Sequence, residues 1–187
     1  MGTHHFHLPA HDPERRRRED PQSILNGLGL RLGQTLVDVG SGGGYYTIPA
    51  VEIVGPTGRV YAIDVNQESL DEVKEAADHA GLANITCIRG RAEETTVCES
   101  CADFVFYAAA LHDFDDPAAV LRNARQMLKA EGHVVDLDWK KDALIGPPAW
   151  KRLSQSAAVK LIETAGFEMV DARDLGHMYL IVGTPKR

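Results

Sequence analysis

The run Val37-Asp38-Val39-Gly40-Ser41-Gly42-Gly43-Gly44 joins a carboxylate to glycines spaced G-x-G-x-G. Glycines at a strand end let backbone N–H groups press against a ligand that a Cβ atom would hold away. Asp64 stands twenty positions after Gly44 and closes the run Val60-Tyr61-Ala62-Ile63-Asp64. A carboxylate there can accept two hydrogen bonds from a ribose diol. A dinucleotide loop wants G-x-G-x-x-G, whose third glycine lets helix and strand pack closely around a diphosphate. Here the spacing is shorter, and Asp38 lies two residues before the first glycine, a place that suits a cationic amino group better than a diphosphate. The plainer reading is a tight turn. Asp64, in register within a strand–helix–strand frame, weighs against it.

Other residues could act on whatever meets that ligand. His112 lies four positions beyond Ala108, in Leu111-His112-Asp113-Phe114. An imidazole titrating near neutrality suits general-base work, and Asp113 can modulate it. The plainer reading is a surface histidine before the turn Asp115-Asp116-Pro117. Asp138-Trp139-Lys140-Lys141 is followed by Gly146-Pro147-Pro148. Trp139 and Lys140 could flank a planar or anionic substrate; otherwise Trp139 closes a core edge and the lysines are solvated. Cys98-Glu99-Ser100-Cys101 is one C-x-x-C, with Cys87 apart. Structural zinc wants four ligands at paired spacings, so no metal is expected, and thiolates for a metalloid substrate are the rival use. His4, His5, His7 and His11 read as a metal-binding tract, a tag remnant or a segment over the pocket. Arg15-Arg16-Arg17-Arg18, flanked by Glu14, Glu19 and Asp20, reads as a solvated face.

Strands and helices in alternation must position these residues. Thr35–Val39, Arg59–Asp64, Ile85–Arg89, Ala102–Ala108 and 133–138 read as strands. Helices are predicted over 45–54, 67–80 and 117–129, the last capped by Asp116 with Pro117 in first position. That alternation indicates parallel βαβ units covered on both faces. A helix over 154–165 is followed by strands Phe167–Asp174 and 178–183, linked only by Leu175-Gly176-His177. So short a link permits an antiparallel hairpin but not a parallel crossover. A short helix over 21–28, capped by Asp20, precedes the first strand.

With 187 residues the chain suits one domain, and its 44% apolar and 25% charged residues are ordinary globular usage. The 20 Lys and Arg against 27 Asp and Glu leave a net charge of −7, which disfavours nucleic acid and anionic membranes as partners. Three cysteines fit a reducing compartment, no apolar run nears the roughly 18 residues of a membrane helix, and no signal peptide is evident. A cytoplasmic location is expected.

The Asp38-to-Gly44 segment resembles the first motif of class I S-adenosylmethionine-dependent methyltransferases, and Val60-Tyr61-Ala62-Ile63-Asp64-Val65 resembles their second. The C-terminal hairpin also matches that family's sheet. The D-W-K-K and G-P-P stretch is similar to a small bacterial and archaeal branch of it. The resemblance spans about residues 20–187 and implies a Rossmann-like, doubly wound α/β fold, with a mostly parallel seven-stranded sheet between helical layers. It implies one methyltransferase domain over 1–187, with residues 1–34 covering the active site, and S-adenosyl-L-methionine as cofactor. Gly40, Ser41, Gly42 and Gly44 would then line the methionine part, Asp38 would hold its amino group, Asp64 the ribose hydroxyls, and Val65 the adenine. Arg91-Ala92-Glu93 stands where the family often has an acid and a small residue. Ala92 fits, but Arg91 cannot accept a hydrogen bond from an adenine amino group, which leaves Glu93 as substitute or Arg91 as a stacking partner. Ala108 would line the cofactor pocket, His112 would be catalytic, and Trp139 and Lys140 would bind the acceptor. With no inserted domain, a small-molecule acceptor is expected. The alternatives are a non-catalytic cofactor-binding sensor or partner subunit, and an NAD(P)-dependent oxidoreductase, which the glycine spacing and the hairpin disfavour.

Overall fold

The computed structural model describes residues 13–187, so His4, His5, His7 and His11 lie outside the described residues. Seven strands form one sheet: β1 (Thr35–Val39), β2 (Arg59–Asp64), β3 (Ile85–Arg89), β4 (Ala102–Ala108), β5 (Leu128–Trp139), β6 (Phe167–Asp174) and β7 (Met178–Pro185). Their order is β3-β2-β1-β4-β5-β7-β6. The first five are parallel to one another, while β7 runs antiparallel to both β5 and β6.

Successive strand residues face opposite sides, so each buried strand supplies two cores. Val37, Val105, Tyr107, Val134 and Ile181 meet α5 (Pro117–Met127) and α6 (Gln155–Thr164) on one face. Leu36, Val60, Phe104, Phe106 and Leu137 meet α2 (Pro21–Gly27) and α3 (Thr47–Val54) on the other. Helix α4 (Gln67–His79) packs Leu70 and Val73 on Ala62, on the α3 side. The cap of α2 is Asp20, which accepts from the Ser23 N–H, and Asp116 and Ser154 do the same for α5 and α6. A short helix α1 (Pro13–Arg18) precedes α2. Within the basic run Arg16, Arg17 and Arg18 are exposed, but Arg15 is buried, which corrects the reading of the whole run as a solvated face.

Two boundaries depart from the sequence pattern. Helix α5 ends at Met127 because Leu128 is already extended, at φ −73° and ψ 140°, and pairs with Ala102 across a register shift, so β5 starts five residues earlier than 133. Helix α3 starts at Thr47 and not at 45, because Gly44 at φ +86° is left-handed and Tyr46, at φ −95° and ψ −31°, is the N-cap. The hairpin forms, with β7 inserted between β5 and β6. No described helix is long and apolar enough to cross a membrane.

Candidate active site

The strand order reverses direction between β1 and β4, and an open α/β sheet binds ligands outside the carboxyl ends of strands at such a point. The glycine loop leaves β1 there. Gly40 and Ser41 both donate N–H bonds to Ile63 O, at 2.8 and 3.1 Å. Gly40 sits at φ +76°, and a Cβ on it would fall 2.8 Å from that of Ala110. At Gly42, φ +51°, a Cβ would meet nothing within 4 Å, so this stretch of backbone borders open space. Ser41 is buried, and its Oγ has no hydrogen-bond partner.

Asp38 is 1% exposed and accepts from Thr47 Oγ1 at 2.6 Å. Burial pushes its carboxyl up to about 7; the Thr47 hydrogen bond lowers it, the Asp64 charge adds to the rise, and the Arg15 charge opposes it. Asp64 accepts from Gly42 N–H and Asn66 N–H, one per oxygen and both at 2.8 Å. A carboxylate offers about four lone-pair directions, so two remain for a ligand. Val65, next in the chain, is 46% exposed. Beyond β3, Arg91 bonds Asp115 at 2.8 Å and lies 3.5 Å from Glu93. Glu93 in turn accepts the Asp115 N–H at 3.1 Å. Asn123 of α5 ties this turn down by donating to the carbonyls of Ala92 and Glu93, both at 2.9 Å.

Strand β4 ends at Ala108, and Ala109 follows at φ +53°, in the left-handed region that non-glycine residues avoid at a cost of about 1–3 kcal/mol. This turn delivers His112 on a short 3₁₀ segment, Leu111–Asp113. His112 Nδ1 lies 2.8 Å from both carboxylate oxygens of Asp138, and both side chains are 1% exposed. With Nδ1–H given to Asp138, Nε2 carries the lone pair. Nε2 is buried, makes no hydrogen bond, and lies 3.7 Å from Asp113. Burial alone would lower the imidazole, but the bond and charge of Asp138 and the charge of Asp113 outweigh it, and its pKa ends above the ordinary value despite Lys151. Asp136 is fully buried on the same face of β5, two residues earlier, and neither of its oxygens has a partner. Burial and the Asp138 charge push its carboxyl well up.

Trp139 is buried beneath Gly146, where a Cβ would fall 2.6 Å from the indole. It lines a cavity of about 40 Å³ shared with Arg18, Glu19, Ile24 and Met178. Lys140 pairs with Asp174 at 2.7 Å. The loop that carries both is folded around Arg152, whose guanidinium donates to the carbonyls of Pro147, Lys140, Ala143 and Ile145 at 2.6–2.9 Å.

The opposite end of the sheet holds other features. Cys98 and Cys101 are joined by a disulfide just before β4. Seven residues of strand, about 20 Å, separate them from the glycine loop, so they cannot present a metalloid to a ligand there. Among the described residues no His, Cys, Asp and Glu cluster could hold a metal ion. A hollow of about 710 Å³ also lies at this end, lined by Thr35, Glu52, Arg59, Asn84 and Cys101 among others, and it contains none of the predicted site residues.

The pattern of a methyltransferase domain matches residues 31–173. The chain belongs to the methyltransferase-domain family. The S-adenosylmethionine-dependent methyltransferase from Aquifex aeolicus superposes with a TM-score of 0.86 at 29% identity, over 92% of this chain and 93% of that one. Demethylmenaquinone methyltransferase from Geobacillus is 30% identical over 129 residues, 69% of this chain and 54% of the relative. The chain thus spans about half the length of the curated relatives it matches. The [4+2]-cyclase SpnF shares the fold, with a TM-score of 0.81 at 13% identity over 97% of this chain and 88% of that one.

In this chain the predicted residues Asp38, Gly40, Ser41, Gly42, Gly44, Asp64 and Val65 gather at the carboxyl ends of β1 and β2, with Ala108 at the end of neighbouring β4. His112 joins Asp138, while Lys140 is turned to Asp174 and Trp139 is packed in the core. Sequence reasoning missed Asp138 as the partner of His112, Asn123 and Arg152. The signal for Asp138 was two aspartates at alternate positions of an apolar strand, which puts both carboxyls on one buried face.

Proposed function

We propose that this methyltransferase transfers a methyl group to a small-molecule acceptor bound beside His112. The observation that carries this reading is the His112–Asp138 pair: a buried imidazole whose Nδ1 is held at 2.8 Å and whose Nε2 has no partner. Such a base takes a proton from an acceptor hydroxyl or acidic C–H as the atom becomes nucleophilic. When bound, the cofactor supplies an electrophilic methyl group on a sulfonium centre. The residues present suit it: Asp38 for the amino group, Asp64 for the ribose hydroxyls, Val65 for the adenine, and the partnerless Ser41 Oγ beside the open flank of Gly42. Ala92 and Ala108 provide small walls, and Arg91, committed to Asp115, borders the adenine side. Trp139 acts from beneath the acceptor loop, and Lys140 at its rim. We read residues 1–187 as one domain, its N-terminal part covering the site, in a cytoplasmic setting. The relatives' names make demethylmenaquinone the first acceptor to assay. A panel of small acceptors with methyl-labelled cofactor tests the function, and absence of label transfer from a protein that binds the cofactor would remove it.

Two measurements address the cofactor site. S-adenosylhomocysteine should raise the melting temperature, since a ligand of the folded state stabilises by mass action, and NAD and NADP should not. A shift with a nicotinamide alone would overturn the assignment. The second concerns Asp38. An ammonium group binds the ionised carboxylate, so below about pH 7 binding must also expel the proton held there. Affinity for S-adenosylhomocysteine should therefore rise up to about tenfold per pH unit as pH climbs towards 7, then level. Calorimetry across that range should show the slope in the parent and a flat line in Asp38→Asn; a flat parent would exclude the contact.

A further inference from the structure

Arg15 is 7% exposed, and its position on α1 puts it over the start of α3. Its guanidinium carbon lies 3.8 Å from the ring centre of Tyr45 and 6.0 Å from that of Tyr46, the two residues that follow Gly44. Its Nε donates to Glu19. The roof is fastened at a second point, because Tyr45 Oη donates to Glu19 O at 2.6 Å. The cation therefore stands beside the two residues that follow the glycine loop, and its charge reaches the Asp38 carboxyl.

The charges around the loop give this position a meaning. Asp38 and Asp64 are both acidic, and Asp38 is buried. A ligand whose α-carbon carries an ammonium and a carboxylate can give the first to Asp38. The carboxylate must then sit in an acidic neighbourhood, where like charges repel unless a cation faces it. Three other cations at this end of the sheet are engaged, Arg91 with Asp115, Lys151 with Asp113 and Lys140 with Asp174, and Lys141 is exposed to solvent. Arg15 gives Nε to Glu19, which leaves the Nη edge of a planar fork that matches a carboxylate.

We propose that Arg15 recognises the α-carboxylate of the cofactor, which makes α1 the roof of the amino-acid subsite. This rests on the cofactor reading above and adds a contact that no glycine motif contains. Tyr45 holds the guanidinium by its ring face, and Glu19 holds its Nε edge, so the fork is set before the ligand arrives.

The test compares two ligands that differ in the amino-acid end. S-adenosylhomocysteine carries it, and 5′-methylthioadenosine shares the nucleoside and thioether but lacks it. Calorimetric affinities are measured for the parent, Arg15→Met and Arg15→Lys. Arg15→Met should weaken S-adenosylhomocysteine by about 10–100-fold, the size of a charge-assisted contact, and 5′-methylthioadenosine by less than about threefold. Arg15→Lys should recover part of the loss. Equal losses for both ligands would mean that Arg15 only packs the roof, and unchanged affinity for S-adenosylhomocysteine would overturn the proposal outright. Should Arg15→Met fail to melt cooperatively, Arg15→Lys carries the same comparison, with a loss confined to the carboxylate ligand expected. If the folded parent binds 5′-methylthioadenosine but shows no preference for S-adenosylhomocysteine, the Arg15 contact fails while the nucleoside site stands; if it binds neither, the cofactor reading itself fails.

Discussion

Replacing His112 by alanine is expected to slow methyl transfer by about 10²–10⁴-fold, with affinity for S-adenosylhomocysteine nearly unchanged. In the proposed site the imidazole faces the acceptor, and its only hydrogen bond among the described residues is to Asp138. The pH profile adds a second readout. A general base must be unprotonated, and Asp138 and Asp113 raise this imidazole above its ordinary value. Turnover should therefore fall with pH along an acid limb that starts above the usual histidine range. Asp138→Asn should move that limb downward, because it removes the charge that raises it. A variant with full activity and an unchanged limb would reduce His112 to a turn residue and shift attention to Asp113.

Arg152→Ala should cost about 3–5 kcal/mol, since leaving buried carbonyls without a donor costs about 1–3 kcal/mol each and some of them can turn to water. Four carbonyls of the 140–148 loop lose their donor together. For a domain of this size the loss corresponds to a fall in melting temperature on the order of 10 °C. Arg152→Lys should rescue little, because one ammonium cannot span carbonyls spread over a planar fork. Hydrogen exchange should show the loop opening ahead of the sheet. A fall of less than about 2 °C would show that the loop is held by Trp139 and Gly146 instead.

The sheet and the cofactor end were legible because both rest on local patterns. Glycines at a strand end, an acid closing the next strand, and a three-residue link before the C-terminal strand are read within a few positions of themselves. The acceptor end depends on distant pairs. His112 and Asp138 are 26 residues apart, and Arg152 meets Lys140 only because the loop doubles back. Arg15 shows the limit of composition. Four arginines in a row average to a wet face, yet a turn of helix points one of them inward. The start of β5 was hidden for a similar reason: Leu128 is extended because Ala102 pairs with it, and nothing in the local sequence of 127–129 records that partner.

The insertion of β7 between β5 and β6 has a consequence during synthesis. Strand β6 emerges from the ribosome before β7, yet in the sheet it pairs with β7 and not with β5. For that interval residues 167–174 form a nascent strand with no ladder partner, the kind of edge that recruits other chains. The segment is suited to the wait. Glu168, Asp171, Arg173 and Asp174 place charge along it, and Phe167 is its one fully buried side chain. Strand β7, whose residues are buried from Met178 to Gly183, arrives last and is covered on both edges as it docks. Of the two hairpin strands, the more buried one is thus the one that finds a partner already made.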